Sequence, residues 1–150
     1  MARCFEELVA NEVTLSEGRT ITDADVRAFA ALTGDWNEIH FNDDAARQGG
    51  YERRIVHGAL VFSVSLALLQ SDEVRRPRIV AFLGVERLRF VSPVLSGGAI
   101  LVRQTVRSLD PVSAQAGLVE AAVEVLGEDR VMRVSYSAKF LVRRAVAGAE

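Results

Sequence analysis

Apolar residues in the first half of the chain recur at helical intervals. In the segment TITDADVRAFAALTGD they are spaced three and four residues apart, which predicts a helix. Thr22 or Asp23 can cap its start, and Gly34 can end it. Asn42 is placed to cap a second, short helix that stops at Gly49–Gly50.

The most apolar stretch, IVHGALVFSVSLALL, runs from Ile55 to Leu69. Its 15 residues fall short of the roughly 20 consecutive apolar residues that span a bilayer. We therefore predict a helix buried inside the protein. Because it is apolar on every side, other elements should surround it.

Beyond residue 77 the pattern changes to that of strands, rich in β-branched and aromatic residues. Pro93 and Gly97–Gly98 predict a turn, and Asp110–Pro111 should break the second strand. The predicted strands lie in RIVAFLGVERLRFVSPV, AILVRQTVRSLD, AQAGLVEAAVEVLG and RVMRVSYSAKFLVRR. Helices followed by consecutive strands predict one α+β domain over residues 1–150, with an antiparallel sheet curled around the apolar helix. Its exposed edges favour a homodimer or a higher homo-oligomer.

Composition narrows the function classes. The chain is 49% hydrophobic and 25% charged, with a net charge of −2, so nothing suggests a nucleic-acid surface. Cys4 is the single cysteine, which excludes an intramolecular disulfide and a cysteine metal cluster. The first residues lack the apolar core of a signal peptide, and we expect a cytoplasmic protein without a membrane partner.

The segment GDWNEIH carries the first candidate chemistry. A continuous helix would point Asp35 and His40 about 140° apart, but a loop can bring them together. Histidine titrates at about pH 6.5 when unperturbed, so the pair can hold a water and exchange protons with it. Asn37 can orient either side chain. The alternative is structural: Asp35 satisfies backbone amides at the helix end, and His40 stacks at the surface near Trp36.

The second candidate feature is VHGAL, where Gly58 lies near the start of the apolar helix. Backbone N–H groups at a helix start are unpaired and favour negative charge, so they can stabilise an enolate-like oxygen. The alternative is that Gly58 allows close packing and that His57 is a capped or partly buried polar residue. No metal-binding histidine or cysteine spacing is present.

Two of these segments resemble the MaoC-like dehydratases, also known as (R)-specific enoyl-CoA hydratases. ITDADVRAFAALTGDWNEIHFNDDAA is similar to the family's helix and G-D-x-N-P-[IL]-H loop, and RRIVHGALVFSVSLALL to its [IV]-[AV]-H-G-[MA]-L helix entry. FLGVERLRFVSPVLSGG resembles a later strand–Pro segment of the family. The resemblance implies the hot-dog fold, an antiparallel sheet wrapped around one long helix, and a homodimer.

The resemblance also implies roles for individual residues. Asp35 and His40 take the catalytic positions, Asn37 a supporting one, and the Gly58 N–H meets the thioester carbonyl. Glu38 departs from the family pattern, which has proline there. That change frees an N–H group and adds a charge near the pair.

The implied activity is that of a hydro-lyase acting on trans-2-enoyl thioesters of coenzyme A or a carrier protein. It would give (R)-3-hydroxyacyl products without a metal or redox cofactor. Asp35 would act as base toward the water and His40 as proton donor, although the opposite division is possible. The residues expected to contact the substrate are Trp36, Phe62, Leu66 and His57.

Two alternatives stay open at this stage. A hot-dog thioesterase would use the same amide and direct water at the carbonyl carbon. A non-catalytic subunit would bind acyl thioesters without turnover, and Glu38 is the feature that favours it.

Overall fold

The first two helices begin at residues that the sequence marks as caps. The computed structural model describes residues 2–72 and 75–145. Its helices are α1 (Asp23–Thr33), α2 (Asp43–Gln48) and α3 (Gly58–Leu68). Thr22 and Asp25 form a reciprocal capping box at the start of α1, and Gly34 ends that helix with a left-handed φ of 80°. The Asn42 side-chain oxygen accepts hydrogen bonds from the N–H groups of Asp44 and Ala45 in the first turn of α2. The predicted caps are therefore confirmed.

The strands form one six-stranded antiparallel sheet. They are β1 (Val13–Leu15), β2 (Arg19–Thr20), β3 (Ile79–Phe90), β4 (Ala99–Pro111), β5 (Ala116–Gly127) and β6 (Met132–Arg143). The order across the sheet is β1–β4–β5–β6–β3, and β2 also pairs with β4. The four long strands confirm the prediction. The two short strands β1 and β2 were not predicted, because strands of three and two residues show no recognisable periodicity.

The core lies between α3 and one face of the sheet. Leu60, Val61 and Val64 of α3 belong to the same buried cluster as Val123 and Val134 of the sheet. The prediction that α3 is surrounded on every side is wrong for the single chain. Its small residues Ala59, Ser63 and Ala67 form an exposed stripe, because one sheet covers only one side of a helix.

Two strand details also differ from the prediction. β4 continues through Asp110 and ends at Pro111, which pairs with Gly117. Proline is tolerated there because a strand end needs no further N–H donor. Val131 precedes β6 and is half exposed, so the buried alternation of that strand begins at Val134. Within the described residues, no helix has the length and apolar character needed to cross a bilayer.

Candidate active site

Three side chains from two separate segments meet at the start of α3. Asp35 and His40 come from the loop between α1 and α2, and His57 immediately precedes α3. Ligand-type atoms of the three side chains all lie within 4.8 Å of one another. The fold therefore brings together the two residues predicted to be catalytic and adds His57 to them.

A small network holds the two segments in place. The Arg54 guanidinium contacts the carboxylates of Asp23 at the start of α1 (3.1 Å) and Asp43 at the start of α2 (3.2 Å). The Ile55 N–H donates to the Ile39 carbonyl at 3.2 Å. These contacts fix the chain before α3 against the loop that carries the candidate pair.

His40 is a buried imidazole, and one of its ring nitrogens is hydrogen-bonded to the backbone. Its Nδ1 lies 2.8 Å from the Ile55 carbonyl oxygen, which can only accept, so Nδ1 carries the proton and Nε2 is left with the lone pair. Burial lowers the pKa of His40 below its ordinary value of 6.5. The Ile55 carbonyl opposes this, His57 adds to the lowering, and the Asp35 carboxylate opposes it. The alternative of a surface histidine beside Trp36 is therefore wrong.

Asp35 faces both solvent and the histidines, with its side chain 52% exposed. One carboxylate oxygen accepts the Asn37 N–H at 3.3 Å, as the structural alternative expected. The other lies 4.0 Å from Nε2 of His57, and the backbone carbonyl of Asp35 accepts a hydrogen bond from that nitrogen at 2.9 Å. The carboxylate thus accepts a hydrogen bond within the turn and still faces the two histidines.

The other loop residues have structural contacts. The Asn37 side-chain oxygen accepts the Ile39 N–H at 3.3 Å and so caps the 3-10 turn Glu38–His40. Trp36 is about half exposed, and its ring packs against Phe41 with centroids 5.1 Å apart. The supporting role predicted for Asn37 and the substrate contact predicted for Trp36 stay predictions.

The start of α3 offers unpaired donors. His57 is its N-cap but makes no side-chain capping hydrogen bond. In the described part of the chain, no acceptor contacts the N–H groups of Gly58, Ala59 or Leu60. This is the arrangement predicted from the sequence for a site that binds a carbonyl oxygen.

Gly58 also lines an apolar cleft of about 440 Å³. Tyr51, Phe90 and Val94 are among its other walls, whereas Asp35 and His40 lie outside its lining. A Cβ at Gly58 would lie 2.9 Å from the Phe90 ring, so close packing is part of the reason for this glycine. Phe90 was not singled out in the sequence, because its place beside α3 depends on the register of β3.

Phe62 and Leu66 lie further along α3 and do not line this cleft. The Phe62 ring packs edge-on against Tyr136 with centroids 5.1 Å apart. Both residues pack against the hydrophobic core. Their predicted role as walls of a substrate pocket stays a prediction.

Asp35, His40 and His57 are the one set in the described residues with atoms close enough to share a metal ion. Each imidazole already uses one nitrogen on a backbone carbonyl, which leaves Nε2 of His40 and Nδ1 of His57 as the free lone pairs. Because the His40 and His57 rings are stacked, the free lone pair of each ring lies in a different plane.

The sequence of residues 5–129 matches the family described as MaoC like domain. This chain belongs to that family. The MaoC-like chain is 38% identical over 101 residues to the protein MaoC of Klebsiella aerogenes, covering 67% of this chain and 30% of that protein. It is 32% identical over 107 residues to an (R)-specific enoyl-CoA hydratase of Rhodospirillum rubrum, covering 71% of this chain and 72% of the relative.

Solved structures establish the fold of this MaoC-like chain. It superposes with a TM-score of 0.84 on a Mycobacterium tuberculosis protein described as having a double hotdog fold. The match has 17% identity and covers 99% of this chain and 46% of that one. The predicted hot-dog fold, an α+β architecture with an antiparallel sheet and one central helix, is confirmed.

Proposed function

We propose that this chain reversibly hydrates trans-2-enoyl thioesters, of coenzyme A or a carrier protein, to (R)-3-hydroxyacyl thioesters. The observation that carries the proposal is the cluster of Asp35 and His40 beside the uncapped start of α3. The Rhodospirillum rubrum relative named (R)-specific enoyl-CoA hydratase supports the same reaction and product hand. The chemistry needs no redox change, because water adds across a double bond.

His40 is suited to the role of base. Burial lowers the pKa of its imidazole, so the ring is neutral at pH 7 and its Nε2 lone pair can accept a proton. In the hydration direction Nε2 takes a proton from water while the water oxygen bonds to the β-carbon. The same Nε2–H then donates that proton to the α-carbon, so the hydrogen and the hydroxyl group of water add to one face of the double bond.

Asp35 holds the water in this scheme. Its exposed carboxylate accepts a hydrogen bond from the water proton that is not transferred. The division of roles predicted from the sequence, with Asp35 as base and His40 as proton donor, requires a protonated imidazole instead. The two divisions of roles therefore predict opposite pH dependences of the activity.

The unpaired N–H groups at the start of α3 serve the thioester. When oxygen bonds to the β-carbon, the electron pair of the double bond shifts and negative charge develops on the thioester oxygen. The Gly58 N–H and the positive end of the α3 dipole stabilise that charge. Loss of one such donor costs about 10²- to 10³-fold in kcat in comparable sites.

The test is an assay on a panel of trans-2-enoyl-CoA substrates of increasing chain length. We expect loss of the enoyl ultraviolet absorbance, a single (R) product by chiral analysis, and no free thiol. Free thiol release would instead identify a thioesterase, and tight binding without turnover would identify a binding subunit. Either result would overturn the proposal.

Two variants connect the activity to the cluster. His40→Asn keeps an amide that can donate to the Ile55 carbonyl but lacks the distal nitrogen, and Asp35→Asn keeps the size of the side chain. We expect kcat to fall about 10²- to 10⁴-fold in each. Full activity in both folded variants would contradict the mechanism.

We also propose that two copies pair through β3. This strand is at the edge of the sheet and exposes Val80, Phe82 and Leu83. The helix α3 also exposes its stripe of small residues, so the single chain leaves part of its central helix uncovered. An open, apolar strand edge is a template for a second copy of itself.

Sedimentation velocity tests this pairing. We expect a dimer for the wild-type chain and a monomer for Leu83→Glu. Leu32→Glu is the matched control, because Leu32 is an exposed leucine on α1, away from β3, and its replacement should leave the dimer intact. A monomeric wild-type chain would overturn the pairing.

A further inference from the structure

His57 is a buried polar ring whose presence the proposed chemistry does not by itself require. Its side chain is 2% exposed. The surrounding rings are Phe29 (5.0 Å between centroids), Phe41 (6.1 Å) and His40 (3.7 Å). An apolar side chain would fill such a site at lower cost, since a buried polar atom loses its water.

One nitrogen of His57 ties the catalytic loop to α3. Its Nε2 lies 2.9 Å from the backbone oxygen of Asp35, which only accepts, so Nε2 carries the proton. The bonded carbonyl belongs to the same residue as the candidate catalytic carboxylate. Any displacement of this hydrogen bond would therefore move that carboxylate relative to the start of α3.

The face of the His57 ring fixes the second catalytic side chain. The imidazoles of His57 and His40 stack at 3.7 Å with an interplanar angle of 28°. The Ile55 carbonyl holds the edge of the His40 ring, at Nδ1, and His57 covers one of its faces. Together the two contacts hold Nε2 of His40 in one direction.

The second ring nitrogen of His57, Nδ1, makes no hydrogen bond and does not cap α3. Nδ1 is fully buried and has no hydrogen-bond partner. The ring also gives no capping bond to α3, although a serine, threonine or aspartate at this position would. Such a cap would occupy the N–H groups that the thioester oxygen needs, so a non-capping residue keeps them free.

From these contacts we infer that His57 is a positioning residue. It holds the Asp35 loop through its Nε2–H, holds the His40 ring by stacking, and leaves the start of α3 open. In this role it acts through Asp35 and His40, and the substrate contact predicted for it from the sequence stays a prediction. The inference rests on the proposed function for its catalytic consequence.

Three substitutions separate the two contacts. His57→Gln keeps a donor near the place of Nε2 but loses the ring, His57→Phe keeps the stacked ring but loses the donor, and His57→Leu loses both. We expect kcat to fall about 100-fold in His57→Leu, with smaller losses in the other two, because small displacements of reacting groups cost rates of this size. KM should change by less than about threefold, because His57 acts through Asp35 and His40 and not through a bond to the substrate.

Proton NMR of His40 gives a readout that does not depend on turnover. The groups facing His40 are His57, Asp35 and the Ile55 carbonyl, and His57 is one of those that lower its pKa. The His40 titration midpoint should therefore rise in all three variants, because each lacks the His57 charge. It should also differ between His57→Phe, which keeps the stacked ring, and His57→Leu, which loses it. A purely structural role for His57 predicts lower stability, the same midpoint in His57→Phe and His57→Leu, and unchanged kcat in the folded fraction. That result would overturn the inference.

The two proposals fail in different ways. An inactive wild-type chain would overturn the hydratase proposal, and the His40 midpoint would still decide whether His57 positions that ring. An active wild-type chain with a fully active His57→Leu variant would overturn only the positioning role. If His57→Leu does not fold, the Gln and Phe variants each keep one contact and carry the test.

Discussion

The imidazole rings of His40 and His57 stack with their centroids 3.7 Å apart, although the residues are 17 positions apart in sequence. His57 presents its ring face to His40 and its Nε2–H to the Asp35 carbonyl. One residue before α3 thus contacts both members of the candidate catalytic pair. The relationship makes the ionisation of His40 the most informative property to measure.

The pH dependence of catalysis should separate the two divisions of labour. If neutral His40 is the base, kcat/KM should be constant at neutral pH and fall at lower pH, as the pH passes through the His40 pKa that burial holds below the ordinary 6.5. If protonated His40 is the proton donor, activity should instead fall as the pH rises past that region. A pH profile between about 5 and 9 measures this, and a descending limb on the alkaline side of the His40 titration would contradict the base assignment.

The ionisation of His40 should also make the free energy of unfolding depend on pH. The pKa of His40 is lower in the folded protein than in the unfolded chain, so the unfolded chain binds the proton first as the pH falls. Stability from this group is therefore present above about 6.5 and is lost as the pH drops below it. Urea unfolding at several pH values should show this slope, and His40→Asn should reduce it. An equal slope in both proteins would contradict the burial argument.

Glu38→Pro should be tolerated and should stabilise the loop. Glu38 opens the 3-10 turn, its N–H donates no hydrogen bond within the described structure, and Asn37 before it has φ −57° and ψ 129°, which suits a residue preceding proline. We expect a gain of about 0.4–1 kcal/mol in the free energy of unfolding, with activity retained.

Ile39→Pro is the matched control for that substitution. The Ile39 N–H donates to the Asn37 side chain, so proline one position later removes a hydrogen bond. We expect this variant to be less stable than the wild-type chain by thermal and urea unfolding. Equal effects of the two prolines would show that the turn does not restrict the backbone as described.

The loss of stability caused by Gly58→Ala should depend on the side chain at position 90. The added methyl group would lie 2.9 Å from the Phe90 ring, and such overpacking costs about 1–3 kcal/mol of stability. In a Phe90→Ala background the contact is absent, so the same substitution should cost less. A double-mutant cycle by urea unfolding measures the difference, and an equal cost in both backgrounds would mean that the glycine serves something other than this packing.

The buried pair of Tyr136 and Ser65 should govern alkaline stability. Their hydroxyl oxygens lie 2.7 Å apart, and burial raises the pKa of Tyr136 to about 12, with the Ser65 hydrogen bond opposing the shift. The unfolded chain loses this proton first, so stability should fall as the pH rises from about 10 towards 12. Unfolding at alkaline pH should show this loss in the wild-type chain and not in Tyr136→Phe.

At neutral pH, Tyr136→Phe and Ser65→Ala should lower the free energy of unfolding by different amounts. Tyr136→Phe leaves the Ser65 hydroxyl bonded to the Phe62 carbonyl at 2.6 Å, so the loss should be about 0.5–1.5 kcal/mol. Ser65→Ala leaves a buried tyrosine hydroxyl without its partner and should cost about 1–3 kcal/mol. The reverse order would contradict the assignment of Ser65 as the shared partner.

Local chemistry determined much of the fold from the sequence alone. The Thr22 cap, the Gly34 terminus, the Asn42 cap and the four long strands depend on interactions within a few residues, so the pattern of side chains predicts them. The same short-range rules placed Asp35, His40 and Gly58 in a loop or at a helix end. Their catalytic roles came from the resemblance to the MaoC-like dehydratases and stay predictions.

Only the tertiary structure decided how these segments meet. The stacking of His57 on His40, the hydrogen bond to the Asp35 carbonyl and the contact of Gly58 with Phe90 join residues that are far apart in sequence. Such contacts depend on the register of β3 and the placement of α3, which no local pattern encodes. The lowered pKa of His40 follows from the same cause, because burial is a property of the packed chain.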